Sequence, residues 1–279
     1  MRSLKSLRVA GFAALLAAGA ASAADMPAPP PIPMAPPPAV LDAGGGFYLR
    51  VDVGMGLHNP DKIELRPAIA NTTTLMGTLG DNAFVGIGAG YQFNSFLRAD
   101  VTGEYRFASS FRILEQTTGP APATPANPGY NIARGRLSAG VVMANAYVDL
   151  GTWHRITPYI GGGVGIAALT TSDVTDRGFG AFAGGFGRAA DRTQYNFAWA
   201  LHAGLSYDLS ANLKADVGYR YLNMGTARSS NVVCSVPCTT YRAEIKGLDS
   251  HDLRIGLRYV FADTAVAPVY APGPLVRKY

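Results

Sequence analysis

LRADVTGEYRF, residues 97–107, decides how this chain is to be read. Taken alternately, its residues fall into two sets. Leu97, Ala99, Val101, Gly103, Tyr105 and Phe107 form an apolar face; Arg98, Asp100, Thr102, Glu104 and Arg106 form a polar one. Period two is the signature of a β-strand, whose successive side chains point to opposite sides. The charge on one face and its complete absence from the other make this more than an ordinary half-buried strand.

The same division recurs along the chain. Residues 47–56 set Phe47, Leu49, Val51, Val53 and Met55 against Tyr48, Arg50, Asp52, Gly54 and Gly56. Residues 83–93 set Val85, Ile87 and Tyr91 against Gly86, Gly88 and Gly90. Segments 140–150 and 158–167 are less regular, with Asn145, Tyr147, Asp149 and Tyr159 on the polar side. Residues 196–209 place His202, Ser206 and Asp208 opposite Trp199, Leu201 and Leu205. Residues 212–222 place Lys214, Asp216 and Arg220 opposite Val217, Tyr219 and Tyr221. Residues 252–261 place Asp252, Arg254 and Arg258 opposite Leu253, Ile255 and Leu257. Each segment has about the length a tilted strand needs to cross a bilayer.

The composition agrees. Apolar residues make up 48% of the 279-residue chain and charged residues 15%, against about 25% charged in soluble domains. Beyond the N-terminus there is no run of about 20 apolar residues of the kind a membrane helix needs. Apolar content without apolar runs points to lipid-facing residues that alternate with lumenal ones. The expected fold is all-β: an eight-stranded antiparallel transmembrane β-barrel over residues 47–261.

The connections support it. Residues 57–82, 108–139, 168–195 and 223–251 are long and rich in Gly, Thr, Asn, Ser and Pro; 94–96, 151–157 and 210–211 are short. Long extracellular loops alternating with short periplasmic turns are the pattern of outer-membrane barrels. An export signal precedes them. Arg2, Lys5 and Arg8 form a basic region, Val9–Ala20 an apolar one, and Ala21-Ser22-Ala23 a cleavage site. The expected leader is 1–23, cut between Ala23 and Ala24. No Cys follows it to carry a lipid anchor. Residues 24–46 are Pro-rich and read as an extended periplasmic linker, and 262–279 as a periplasmic tail. The leader holds three of the five net positive charges, leaving +2 and no electrostatic case for a nucleic-acid partner.

The polar face collects Arg50, Arg98, Arg106, Lys214, Arg220, Arg254 and Arg258 against Asp52, Asp100, Glu104, Asp149, Asp208, Asp216 and Asp252. Buried charges are tolerable when paired and hydrogen-bonded, so a paired network filling a narrow or plugged lumen is expected, with the inward glycines making room for Arg side chains. Any conduction through such mixed charge would be weakly selective. Phe47, Tyr91, Phe93, Phe107, Trp153, Tyr207, Tyr221, Tyr259 and Phe261 lie near the strand ends, where aromatic rings prefer the bilayer interface. Cys234 and Cys238 are a candidate disulfide in an oxidising compartment.

ASAAD, GGGFYLRVDVGMG, NAYVDLGTWHRITPYIGGGVGIA and DLRIGLRYVF together resemble the small porin-family surface proteins of alphaproteobacteria, called outer-membrane immunogenic or opacity-type proteins, within the OmpA-like transmembrane barrel superfamily. Tyr147, Asp149, Pro158, Tyr159 and the glycines after them are the more specific part, and the resemblance spans about 44–261. It implies an outer-membrane location, lipopolysaccharide and other outer-membrane lipid as neighbours, and Phe261 as the barrel-end aromatic read by the insertion machinery. In this chain ADTAVAPVYAPGPLVRKY follows that aromatic, so the signal is internal. No peptidoglycan-binding segment is seen, and a wall tether is not implied.

Enzymatic chemistry has little purchase. His58, His154, His202 and His251 are the only histidines. His202 with Ser206 and Asp208 is the one set that resembles a nucleophile constellation, and His154 beside Trp153 reads as interfacial. The glycine runs at 161–165 and 184–187 lack the strand–helix context of a phosphate loop, and EF-hand, CxxC and HExxH patterns are absent. No cofactor or metal is expected, and no enzyme. The leading expectation is a structural surface protein with at most narrow-pore permeability. The alternatives are a receptor or adhesin that grips a host or environmental ligand through its extracellular loops, and a lipid-modifying enzyme with His202 or His154 in its site.

Overall fold

The computed structural model describes residues 45–262, apart from 69, 120, 236–237 and 239. The expected leader with its Ala23–Ala24 junction, nearly all of the expected linker and nearly all of the expected tail lie outside these residues. Every regular element among them is a strand. In chain order these are β1 (Gly46–His58), β2 (Lys62–Arg66), β3 (Thr72–Leu79), β4 (Asn82–Gln92), β5 (Leu97–Thr117), β6 (Gly129–Asp149) and β7 (Ile156–Gly180). They continue with β8 (Phe186–Ala189), β9 (Arg192–Asp208), β10 (Leu213–Asn223), β11 (Ala227–Arg228), β12 (Val232–Cys234), β13 (Arg242–Lys246) and β14 (Asp249–Ala262).

Eight of them close a ring. Antiparallel pairing runs β7, β6, β5, β4, β1, β14, β10, β9 and back to β7. The first and last strands meet along their whole length, from Gly46 opposite Ala262 to His58 opposite Ser250. Closure removes the free edges that an open sheet would leave unpaired. Polar side chains shape the tight turns: Asn94 Oδ1 accepts from the backbone N–H of Phe96 and Leu97 at 3.0 and 2.7 Å, and Ser210 Oγ accepts from Leu213 N–H at 3.0 Å.

All eight segments become ring strands with the expected facing. Phe47, Ile87, Val142, Ile166, Leu201, Val217 and Leu253 are exposed on the outer surface, while Arg50, Arg98, Tyr147, Tyr159, His202, Arg220 and Arg258 are buried inside. The length expectation needs correction. β5, β6 and β7 run for 21, 21 and 25 residues, so 108–139 and 168–195 are largely strand. β-Bulges explain why alternation conceals this. β5 slips register against β6 between Arg106 and Ser109, and β7 slips against β6 between Ser172 and Thr175. Each extra residue swaps which parity faces inward. Below the first bulge Arg98, Asp100, Thr102, Glu104 and Arg106 point in; above it Ser109, Phe111, Ile113, Glu115 and Thr117 are buried.

The other long connections also hold strands. β3 takes over from β4 as the neighbour of β5, and β8 takes over from β9 beside β7 and is itself flanked by β12. β2, from the first connection, pairs with β13 and through it with β11, both from the last. The four connections therefore make one folded cap. Its interior is largely apolar, built from Ile63, Leu65, Phe111, Ile113, Leu137, Leu169 and their neighbours, with a few buried polar groups among them.

Candidate functional site

Two interiors are candidates for function: the lumen between the membrane-spanning strands and the cap above it.

The lumen is an ion-pair network. Thirteen of the fourteen charged residues named from the sequence make ion pairs, in five groups. Arg106 and Arg220 both bind Glu104 and Asp252 at 2.6–3.0 Å, a closed ring of four charges. Ser250 Oγ donates to the same Asp252 at 2.6 Å. Arg50 binds Asp52 at 2.8 Å and Asp100 at 3.0 Å, and Asp100 also accepts from Tyr48 Oη at 3.1 Å and Asn145 Nδ2 at 2.8 Å. Arg258 reaches Asp216 at 3.2 Å. Arg98 reaches Asp149 at 3.1 Å. Lys214 pairs with Asp208 at the periplasmic end, where both are partly exposed. Arg254 is buried, and among the described residues no carboxylate lies within ion-pair distance of it.

Aromatic rings fill what the charges leave. The Arg98 guanidinium lies 4.3 Å from the Tyr147 ring centre and 4.7 Å from that of Tyr159. This sharpens the expectation about glycine. Gly56 does make room for Arg106, whose Nη2 would stand 1.9 Å from an added Cβ. Gly90 and Gly204 instead accommodate the rings of Tyr48 and Tyr159, with atoms 2.4 and 2.6 Å from such a Cβ. The tyrosines are the network members that charge counting misses. Their signal is an inward aromatic opposite an inward glycine, as in Tyr48↔Gly90 and Tyr159↔Gly204.

The cap holds three arrangements. Its small sheet presents like residues opposite like: Lys62 to Lys246, Glu64 to Glu244 and Arg66 to Arg242. The charges are satisfied along β2, diagonally from β13 and directly across from β11. Glu64 binds Lys62, Arg66 and Lys246 at 2.6–3.3 Å, and Glu244 binds Arg228 at 3.1 Å. The five cations of this face keep 37–56% of their side chains exposed. Deeper in the cap, Glu115 accepts from Leu65 N–H at 2.9 Å, and Asp176 accepts from the Tyr241 hydroxyl. Burial holds both carboxyls above the usual carboxylate range. Burial, and then the Asp176 charge, pushes the Tyr241 hydroxyl up as well. At the edge, Cys234 and Cys238 are joined as a disulfide.

A family model of the outer membrane protein beta-barrel domain matches residues 10–261. The chain belongs to that family. This outer-membrane barrel is 32% identical to an uncharacterized protein of Brucella suis biovar 1, over 87% of this chain and 93% of the relative. It is 27% identical to a Rickettsia felis protein named as a proposed adhesin, over 78% of this chain and 89% of that one. Among solved structures it is similar to the outer membrane protein OprG from Pseudomonas aeruginosa, with TM-score 0.48, 16% identity and coverage of 79% of this chain and 97% of that one.

The remaining sequence-derived positions fall as follows in this outer-membrane barrel. Phe261 lies opposite Phe47 on the outer surface and packs edge-on against Tyr259, ring centres 5.0 Å apart. His154 sits in an exposed turn with positive φ. His202, Ser206 and Asp208 all face inward, but they are not joined to one another. His202 Nε2 is 3.1 Å from Asn145 Oδ1. Ser206 donates to Asp216 at 2.5 Å and accepts from Arg258 at 2.8 Å, and Asp208 is engaged by Lys214.

Proposed function

We propose that this outer-membrane protein is a closed barrel with a structural, surface-display role, its lumen blocked to solutes. The observation that carries this reading is the buried ring of Arg106, Arg220, Glu104 and Asp252, with the largely apolar cap interior above it. The interior of an eight-stranded ring is just wide enough for side chains to fill it, and here they do. Moving a paired guanidinium aside to admit a solute would strand buried charge, at a cost of several kcal/mol. Planar-bilayer recording of the purified full-length protein tests this: no stable nanosiemens openings are expected, and regular openings of that size would sink it.

Adhesion is the second reading, with the cap as the gripping surface. It is favoured by the exposed cationic face of β2, β13 and β11, and by the adhesin name of the Rickettsia felis relative. Bacteria displaying the protein should attach to host cells better than those lacking it. Replacing Lys62, Arg66, Arg242 and Lys246 with Gln should reduce that attachment while leaving the heat-dependent electrophoretic shift of a folded barrel unchanged. Equal attachment by the native and substituted proteins would count against it.

A further inference from the structure

The cap wall bears a second cationic surface, distinct from the small sheet. Arg112 stands directly opposite Arg134, Arg134 opposite Thr175, and Thr175 opposite Arg188. Residues opposed in a ladder share a face, so three guanidiniums form one line across β5, β6, β7 and β8. All three are exposed. At about 4.8 Å between strands the line spans roughly 14 Å. Like charges directly opposed destabilise a ladder. In the small sheet that cost is met by Glu64 and Glu244. Here, among the described residues, no carboxylate lies within 4.0 Å of Arg112, Arg134 or Arg188.

A groove of about 430 Å³ opens at one end of this line, lined by Thr78, Ser110, Arg112, Arg134, Arg136 and Asp173. Arg136 is engaged by Asp173, which neutralises the one acid of the groove. What remains is two free guanidiniums and two hydroxyls, a donor set suited to phosphate oxygens, which arginine can bind in a bidentate manner.

Depth identifies the partner. Phe107 and Tyr105 are the outermost lipid-facing aromatics on β5. A rise of about 3.4 Å per residue, on a strand tilted about 40°, puts Arg112 roughly 10–13 Å beyond Phe107. Arg136 lies opposite Ser110, nearer the bilayer. The surface faces sideways, at the level of lipid head groups rather than at the apex of the cap. In an outer membrane that neighbour is lipopolysaccharide, whose sugar head group carries phosphates.

We propose that Arg112, Arg134 and Arg188, with the groove beside them, form a docking site for the phosphorylated head group of lipopolysaccharide. The proposal rests on the outer-membrane location and not on the closed-lumen or adhesion readings. A conducting lumen, or attachment that ignores the small sheet, would leave it standing.

The test is titration of the full-length protein in detergent micelles with fluorescently labelled lipid A. The R112Q/R134Q/R188Q protein should bind about tenfold more weakly or worse, the equivalent of about 1.4 kcal/mol. Dephosphorylated lipid A should bind both proteins weakly and alike. K62Q/K246Q, on the small sheet, should bind phosphorylated lipid A as the native protein does. The heat-dependent electrophoretic shift reports folding of each variant. If the triple variant fails to fold, R134Q alone, at an exposed position, should show a smaller loss in the same direction. Native-strength binding by the folded triple variant, or by R134Q where the triple variant does not fold, would overturn the proposal. So would equal affinity of the native protein for dephosphorylated lipid A. It also falls if the arginines govern binding of a soluble sulfated oligosaccharide but not of lipid A, because the surface would then serve a soluble polyanion.

Discussion

The spanning half of the barrel and its cap are built on continuous strands, yet they are inverted relative to each other. β6 shows the change most clearly, because its inward parity is unbroken from Ala133 to Asp149. At its membrane end the inward residues are Asn145, Tyr147 and Asp149 and the outward ones Val142, Ala144 and Val148. At its outer end the inward residues are Ala133, Leu137 and Ala139, while Arg134 and Arg136 face out. Below, lipid claims the apolar face and the interior must be filled by charges that satisfy one another. Above, water claims the polar face and the interior fills like that of a soluble domain. The same backbone thus serves two solvents, and the side chains change order where the surroundings change.

Four perturbations bear on this inversion. The largest effect belongs to the lumen. Asp252→Ala removes the carboxylate shared by Arg106 and Arg220 and leaves buried cations short of a partner, so stability should fall by about 3–5 kcal/mol. Unfolding in urea, followed by loss of the heat-dependent shift, measures it; an unchanged midpoint would mean that the lumen is not held by this ring. Next, Ile113→Ala opens a cavity in the cap, at a cost of roughly 2–4 kcal/mol. The damage should stay local: faster proteolysis within 108–139 and 223–251, with the barrel's heat shift retained. Joint failure of cap and barrel would show that the two interiors form a single cooperative unit.

Reduction of Cys234–Cys238 should cost the cap about 2 kcal/mol at most, since so short a loop restricts the unfolded chain little. The expected sign is faster protease cutting near β12 under reductant, and no difference from the oxidised protein would assign the bond no stabilising role. The smallest effect concerns pH. Asp176 and Glu115 are raised in the folded cap, chiefly by burial. Between the ordinary carboxylate value of about 4 and their raised values, the folded cap holds protons that the unfolded cap has released. Their contribution is therefore full below about pH 4 and is lost as pH rises through the raised values. Hydrogen exchange, corrected for its intrinsic pH dependence, should show the cap tightening on mild acidification. Asp176→Asn should flatten that response, and a cap that loosens in acid would reverse the reading.

The ring was legible because lipid on one side and charge on the other impose a strict period of two, as in Leu97–Phe107. The cap was less legible, for two physical reasons. The extra residues at Phe107–Ala108 and Asp173 invert the parity, so the ribbons look as though they end where they only change phase. The small sheet joins residues far apart in the chain, and no local signal pairs them. A trace is nonetheless present: KIELR at 62–66 and RAEIK at 242–246 alternate alike, and one read backwards nearly spells the other. The lumen charges were readable as a set, but their partners were not. That Arg50 gathers both Asp52 and Asp100, and that Arg98 lies over Tyr147, depends on tilt and register that composition does not carry.

The joining of β2 to β13 has a consequence for immune recognition. An antibody that covers this sheet must touch residues near 64 and near 244 together, so its epitope exists only on the folded surface. Peptides copied from either segment alone would raise sera that bind the boiled protein and overlook the living cell.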